Sequence, residues 1–118
     1  MRFINCTPHP LTITGIGTID PSGIVARVGT VREHLEHINW VRVGVRVVFQ
    51  DLGDVTSLPD PVPGSIYIVS AMVLAALKDE MTQGISERAG IDVFAPDTGP
   101  DAVRDAKGQI VSVLGLVC

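Results

Sequence analysis

The sequence predicts a mainly β domain of the α+β type, a small antiparallel sandwich or barrel-like sheet carrying one short helix. Three observations predict it. Apolar residues make up 46% of the chain but aromatics only 4%, so the core must be aliphatic, and valine and isoleucine dominate it; their branched Cβ atoms favour strands. Several runs alternate with period two, most plainly Val41–Phe49, where Val41, Val43, Val45 and Val47 share one face and Arg42, Gly44 and Arg46 the other. Only Ala71–Glu80, preceded by Ser70 as N-cap, combines a helix start signal with adequate length and an unbroken helix-forming composition. The length of 118 residues fits a single domain, 1–118, with no linker, internal repeat or low-complexity segment.

Arg2 opens a first strand that ends near Thr7, where Pro8 and Pro10 remove two backbone donors and make a rigid corner around His9. Leu11–Thr14 resumes β character, and the glycines of "TGIGT" mark a hairpin turn. In "DPSG", Asp20–Gly23, proline presets φ and aspartate accepts a local backbone bond, so a turn leads into a strand, Ile24–Val28. Thr30–Ile38 has capping-box spacing, yet it adjoins an alternating run that needs an antiparallel partner, and a strand is the preferred reading. "DLGDVTSLPDPVPG" reads as loop. Ser65–Val69 is an apolar strand, and the helix after it, apolar nearly all round until Lys78, should be largely buried. Gln83–Gly90 reads as loop and Ile91–Pro96 as a short strand. "DTGPD" is a turn, and a closing hairpin pairs Ala102–Asp105 with Gln109–Val117 through Lys107-Gly108.

Composition narrows the function classes. A formal net charge of −4 without a basic block lacks the footprint of a duplex nucleic-acid binder. No apolar run reaches the roughly 20 residues of a membrane-spanning helix. Cys6 and Cys118 form no CxxC pair, so free thiols in a reducing cytoplasm are expected. There is no phosphate-binding glycine loop, no HExxH and no GxSxG elbow. His34 and His37 approach metal spacing but lack a third ligand, and an exposed polar stretch is the simpler reading. Neither a metal, a cofactor nor a catalytic set is expected.

Polar groups instead gather beside rigid backbone in "NCTPHP", "PSGIVAR", "IYIVS" and "AVRDAKGQIVSV". In this order they resemble a family of short proteins of tailed phages and prophages. Its members open with Asn-Leu-Thr-Pro-His and continue with Pro-Ser-Gly-x-x-Ala-Arg, a Leu-Pro-x-Pro loop and an Ile-Tyr-Ile-Val-Ser strand. They close with Val-Arg-Asp-x-x-Gly-x-Ile. The matching positions run from Asn5, Thr7, Pro8 and His9, through Pro21–Gly23, Ala26, Arg27, Leu58, Pro59, Pro61, Tyr67, Val69 and Ser70, to Val103–Asp105 and Gly108; Cys6 stands where the family has leucine. The resemblance implies a viral accessory protein of the host cytoplasm and supplies no established activity.

The expected function is sequestration, without catalysis, of a small phosphorylated ligand such as a nucleotide immune signal. Arg27 and Arg104 would grip phosphate through the planar guanidinium fork. Ser22 would offer a hydroxyl, Tyr67 (or Trp40) would stack on a base, and Asn5, Thr7 and His9 would read base or ribose edges. Asp105 would orient Arg104 or accept from ribose, and Arg42 and Arg46 stand in reserve. The structural reading of the same residues is a set of caps, turns and surface pairs. The alternatives are a protein-interaction module, inhibiting a host enzyme or serving as a minor virion component, and a small nucleotide hydrolase or lyase using His9 as base. A homo-oligomer is expected, since two small subunits can complete one pocket.

Overall fold

The computed structural model describes residues 2–34, 48–85 and 87–118. Among the described residues it has the mainly β, one-helix class that the sequence predicts, built from β1 Arg2–Asn5, β2 Leu11–Ile13, β3 Gly17–Ile19, β4 Arg27–His34, β5 Val48–Thr56, β6 Ser65–Ile68, α1 Ala71–Thr82, β7 Val93–Pro96, β8 Val103–Arg104, β9 Ile110–Ser112 and β10 Leu116–Val117. A four-stranded sheet in the order β1-β6-β7-β10 forms the centre, and β2–β3, β4–β5 and β8–β9 are two-stranded antiparallel units around it.

The central sheet departs from the mainly antiparallel arrangement expected. β1 runs parallel to β6 and β6 parallel to β7; only β10 is antiparallel. The physical reason lies in the order of elements. A strand, a twelve-residue helix and a second strand make a crossover, which returns the chain in the same direction. Period-two patterning fixes the face of a residue and not the direction of its strand.

Alternation along the sheet sorts the side chains. Ile4, Tyr67, Val93 and Ala95 meet Val73, Leu74 and Leu77 of α1 in the main core, which also takes Cys6, Ala26 and Ala89. A second core gathers Ile13, Ala102 and Val113, with Leu11, Ile19 and Leu116 packed on it. It is stitched by Val113 N–H donating to Thr12 O (3.0 Å) and Thr14 N–H to Val113 O (2.9 Å).

Several boundaries differ from expectation. β1 ends at Asn5 and not Thr7, because the Asn5 side chain takes over the bonding of the next residues. Ile24–Ala26 is not a strand; Ser22 N–H donates to Asn5 O and Ala26 N–H to Cys6 O, so this segment follows the end of β1 irregularly. β5 reaches Thr56 inside the stretch read as loop, because β4 supplies a partner as far as Arg27↔Thr56. Gly53 permits this: a Cβ there would lie 3.2 Å from the Gly29 backbone across the pair, at the register shift between Val28 and Thr30. Thr30–His34 is strand, as preferred, while 35–47, including Trp40, Arg42, Arg46, His37 and most of the alternating valine run, lies outside the described residues. The closing strand is broken into β9 and β10 by Val113–Gly115.

Helix α1 runs to Thr82, two residues beyond the expected end. Ser70 caps it, its Oγ accepting from Val73 N–H at 3.3 Å. Its burial is one-sided and not all round: Val73, Leu74, Ala76 and Leu77 are buried while Met72 and Met81 are exposed.

Candidate functional site

Seven of the eight site residues read from the sequence fall into three places, and the eighth, Arg27, begins β4. The first is the N-terminal corner. Asn5 is buried, 1% exposed, and every polar atom of its side chain is used. Its Nδ2 donates to His9 O (2.8 Å) and Ile19 O (3.0 Å), and its Oδ1 accepts from Thr7 N–H (3.0 Å) and Thr7 Oγ1 (2.6 Å). Its own carbonyl accepts from Ser22 N–H and Ser22 Oγ, both at 2.9 Å. Asn5, Thr7 and Ser22 therefore tie the corner at His9 and the turn at Ser22 to the end of β1. The His9 side chain is exposed beside them. Burial pushes the neighbouring Cys6 thiol up from its ordinary value; a hydrogen bond with Ser22 and the charge of Arg88 work the other way.

The second place is the β8–β9 hairpin. Arg104 Nη1 donates to Gly108 O (3.0 Å) and Nη2 to Thr98 O (3.3 Å). Asp105 Oδ1 accepts from Lys107 N–H (2.9 Å) and Gln109 N–H (3.0 Å). Gly108, at φ +81°, supplies the left-handed residue that closes the turn. Arg104 and Asp105 do not pair with each other; Arg104 ties the hairpin turn at Gly108 to the preceding turn at Thr98, and Asp105 laces the hairpin turn, which packs on the second core through Ala102.

The third is Tyr67, 1% exposed in the main core, with its hydroxyl donating to Asp60 O at 2.9 Å. Its ring lies under Arg88, whose Cζ is 5.2 Å from the ring centre, so it offers no face to a base. Arg88 and Asp92 are the charged pair that sequence reasoning missed. Nε and Nη2 of Arg88 grip the Asp92 carboxylate, Nη2–Oδ2 at 2.9 Å, and Nη1 donates to Pro59 O at 2.6 Å. The only trace in the sequence is an arginine and an aspartate four residues apart, inside a stretch that reads as loop followed by strand.

Three clefts stand out among the described residues. One, about 210 Å³, lies between the N-terminal corner and the start of α1, and its lining includes Thr7, Pro8, Val25, Arg27, Ser70 and Met72. Arg27 is exposed, and its side chain makes no hydrogen bond or ion pair among the described residues. The first turn of α1 carries no acidic side chain. Its leading N–H groups have no partner within the helix, apart from Val73 N–H, which Ser70 takes. A second cleft, about 320 Å³, lies on the sheet face opposite α1 and is lined by Phe3, Ile66, Phe94 and Leu116 with Ile16 and Leu114 at its rim. The third, about 480 Å³, runs between Pro61–Ser65 and the segment holding Glu87, Ile91 and Asp92. Thr7 and Arg27 thus share one cleft, whereas none of the three is lined by His9, Tyr67, Arg104 or Asp105.

Among the described residues no three His, Cys, Asp or Glu side chains gather as a metal ion would require, and no helix is long and apolar enough to cross a membrane. Comparison with protein-family models, with curated proteins and with solved structures returned no match.

Proposed function

We propose that the chain binds and sequesters a small phosphorylated ligand, with Arg27 as the anion contact and the start of α1 as its second support. The observation that carries this reading is the exposed Arg27 lining the same cleft as the N-terminal end of a twelve-residue helix whose first turn holds no acidic side chain. A guanidinium fork and helix N–H groups both bind phosphate, and together they favour negative charge at one place. The rigid corner around Pro8 lowers the ordering cost of binding. Asn5, Thr7, Ser22, Arg104 and Asp105 enter this reading as the frame, since their polar groups already have partners. In a phage accessory protein of the kind the sequence resembles, such a ligand would be a nucleotide signal of host defence.

Purification from bacteria that carry a nucleotide-based defence system, followed by denaturation and analysis of the released material, tests the proposal. A stoichiometric intact nucleotide, lost in Arg27→Ala at unchanged melting temperature, is the expected result. A cleaved nucleotide would point to catalysis, and an empty protein would count against sequestration.

A second reading, a protein-interaction module, is favoured by the cleft on the sheet face opposite α1, lined by apolar side chains, where Ile16 and Leu114 are each more than half exposed. Sedimentation at rising concentration tests it: a dimer weakened by Ile16→Asp supports association through this face, and a monomer throughout opposes self-association there.

A further inference from the structure

We propose that the cleft between Pro61–Ser65 and Glu87–Asp92 is a docking groove for an extended peptide that alternates apolar and basic residues. The groove shares no lining residue with the anion cleft.

The groove has a floor that is already set. Arg88 joins both walls: it donates to Pro59 O on one side, holds Asp92 on the other, and rests on the Tyr67 ring. Tyr67 in turn donates to Asp60 O. These contacts fix the Pro61–Ser65 wall against the Glu87–Asp92 wall, so a ligand does not have to order them. The lips are apolar and open: Val62 is 55% and Ile91 70% exposed, beside Pro61 and Pro63. The volume of about 480 Å³ suits several side chains and not one.

Charge selects the occupant. Arg88 is neutralised by Asp92, whose two oxygens both face it. Glu87 remains as an exposed carboxylate with no ion pair among the described residues, and Asp60 stands exposed next to Pro61. The groove therefore carries a net negative rim around apolar lips. A segment that sets an apolar side chain between Val62 and Ile91 and a lysine or arginine beside Glu87 matches both features, whereas an acidic segment is repelled.

The test uses the full chain and a fluorescein-labelled ten-residue peptide alternating valine and arginine, with two controls of the same length, valine–glutamate and valine–serine. Fluorescence anisotropy should show saturable binding of the basic peptide, weaker binding of the neutral one and none of the acidic one. Glu87→Gln should weaken the basic peptide roughly two- to fivefold, the range for one exposed ion pair, with a smaller salt dependence. Ile91→Ser should weaken both the basic and the neutral peptide, and Arg27→Ala should change neither. Both altered positions are exposed, so melting temperatures should hold. Equal binding of the acidic and basic peptides, or basic-peptide affinity unchanged in both Glu87→Gln and Ile91→Ser, would overturn the proposal.

Discussion

Replacing Asn5 by alanine should be among the most damaging single polar changes in the molecule. Four hydrogen bonds end on its side chain: two donated, to His9 O and Ile19 O, and two accepted, from Thr7 N–H and Thr7 Oγ1. Ile19 and Thr7 are half-buried and His9 is exposed, so water replaces some partners and not others. A buried polar group left without a partner costs about 1–3 kcal/mol. Taking the lower half of that range for Ile19 O and Thr7 N–H, and a few tenths for the exposed carbonyl, the loss sums to about 3 kcal/mol. Against a typical domain stability of about 5–15 kcal/mol this is a large fraction, equivalent to roughly 12 °C in Tm at this chain length. Urea unfolding followed by far-UV circular dichroism measures it. Asn5→Asp sharpens the test because it keeps the shape. Its carboxylate still accepts from Thr7 but faces two carbonyl oxygens, so it should lose at least as much near neutral pH and recover part of the loss as acid protonates it. A loss below about 1 kcal/mol in Asn5→Ala, or wild-type stability in Asn5→Asp, would refute the reasoning that this one amide fastens the corner.

Other expectations follow from equally local features. Arg88→Leu strands the mostly buried Asp92 carboxylate and the Pro59 carbonyl, and should cost about 2–4 kcal/mol in urea unfolding, with Arg88→Lys recovering only part because it lacks the fork. Ser70→Ala removes the cap of α1 and should cost about 1 kcal/mol, read from the same unfolding curves. Cys6 should resist a thiol reagent in the folded protein while the exposed Cys118 reacts at once, giving one fast thiol of two. Because burial raises the Cys6 pKa above the unfolded value, its contribution to stability is complete below the ordinary thiol pKa. It is lost as pH rises from there through the folded pKa, so the alkaline fall in stability should be shallower in Cys6→Ala than in wild type.

How legible these features were depends on the kind of interaction. Ser65–Ile68, α1 with its Ser70 cap, the Thr14–Ile16 turn and the Lys107-Gly108 turn rest on local signals, and each lies within a residue or two of where the sequence puts it. The direction of β1, β6 and β7 was not legible from alternation, which is blind to polarity; the strand–helix–strand order carried that information instead. The reach of β5 into a glycine-rich stretch depends on the close approach of Gly53 to Gly29, a contact between residues far apart in the chain. A motif rich in Asn, Thr, Ser and Asp beside proline and glycine describes a self-satisfied turn as well as it describes a ligand site. For Asn5, Thr7, Ser22 and Asp105 the hydrogen bonds run inward to the backbone. Tyr67 sits on a strand whose alternation places it under the helix. Arg88 was missed because an irregular loop leaves no periodicity to read, and its partners Pro59 and Asp92 come from opposite sides of the groove.

The proposed anionic ligand would sit between Arg27 and the first turn of α1. Titrating isotopically labelled protein with inorganic pyrophosphate while following backbone amide shifts tests it at the site itself. Saturable shifts confined to Thr7, Arg27, Ala71 and Met72, absent in Arg27→Ala, are what the geometry predicts. Saturable shifts centred on the Arg104–Gly108 hairpin, or none at all at millimolar pyrophosphate, would contradict it.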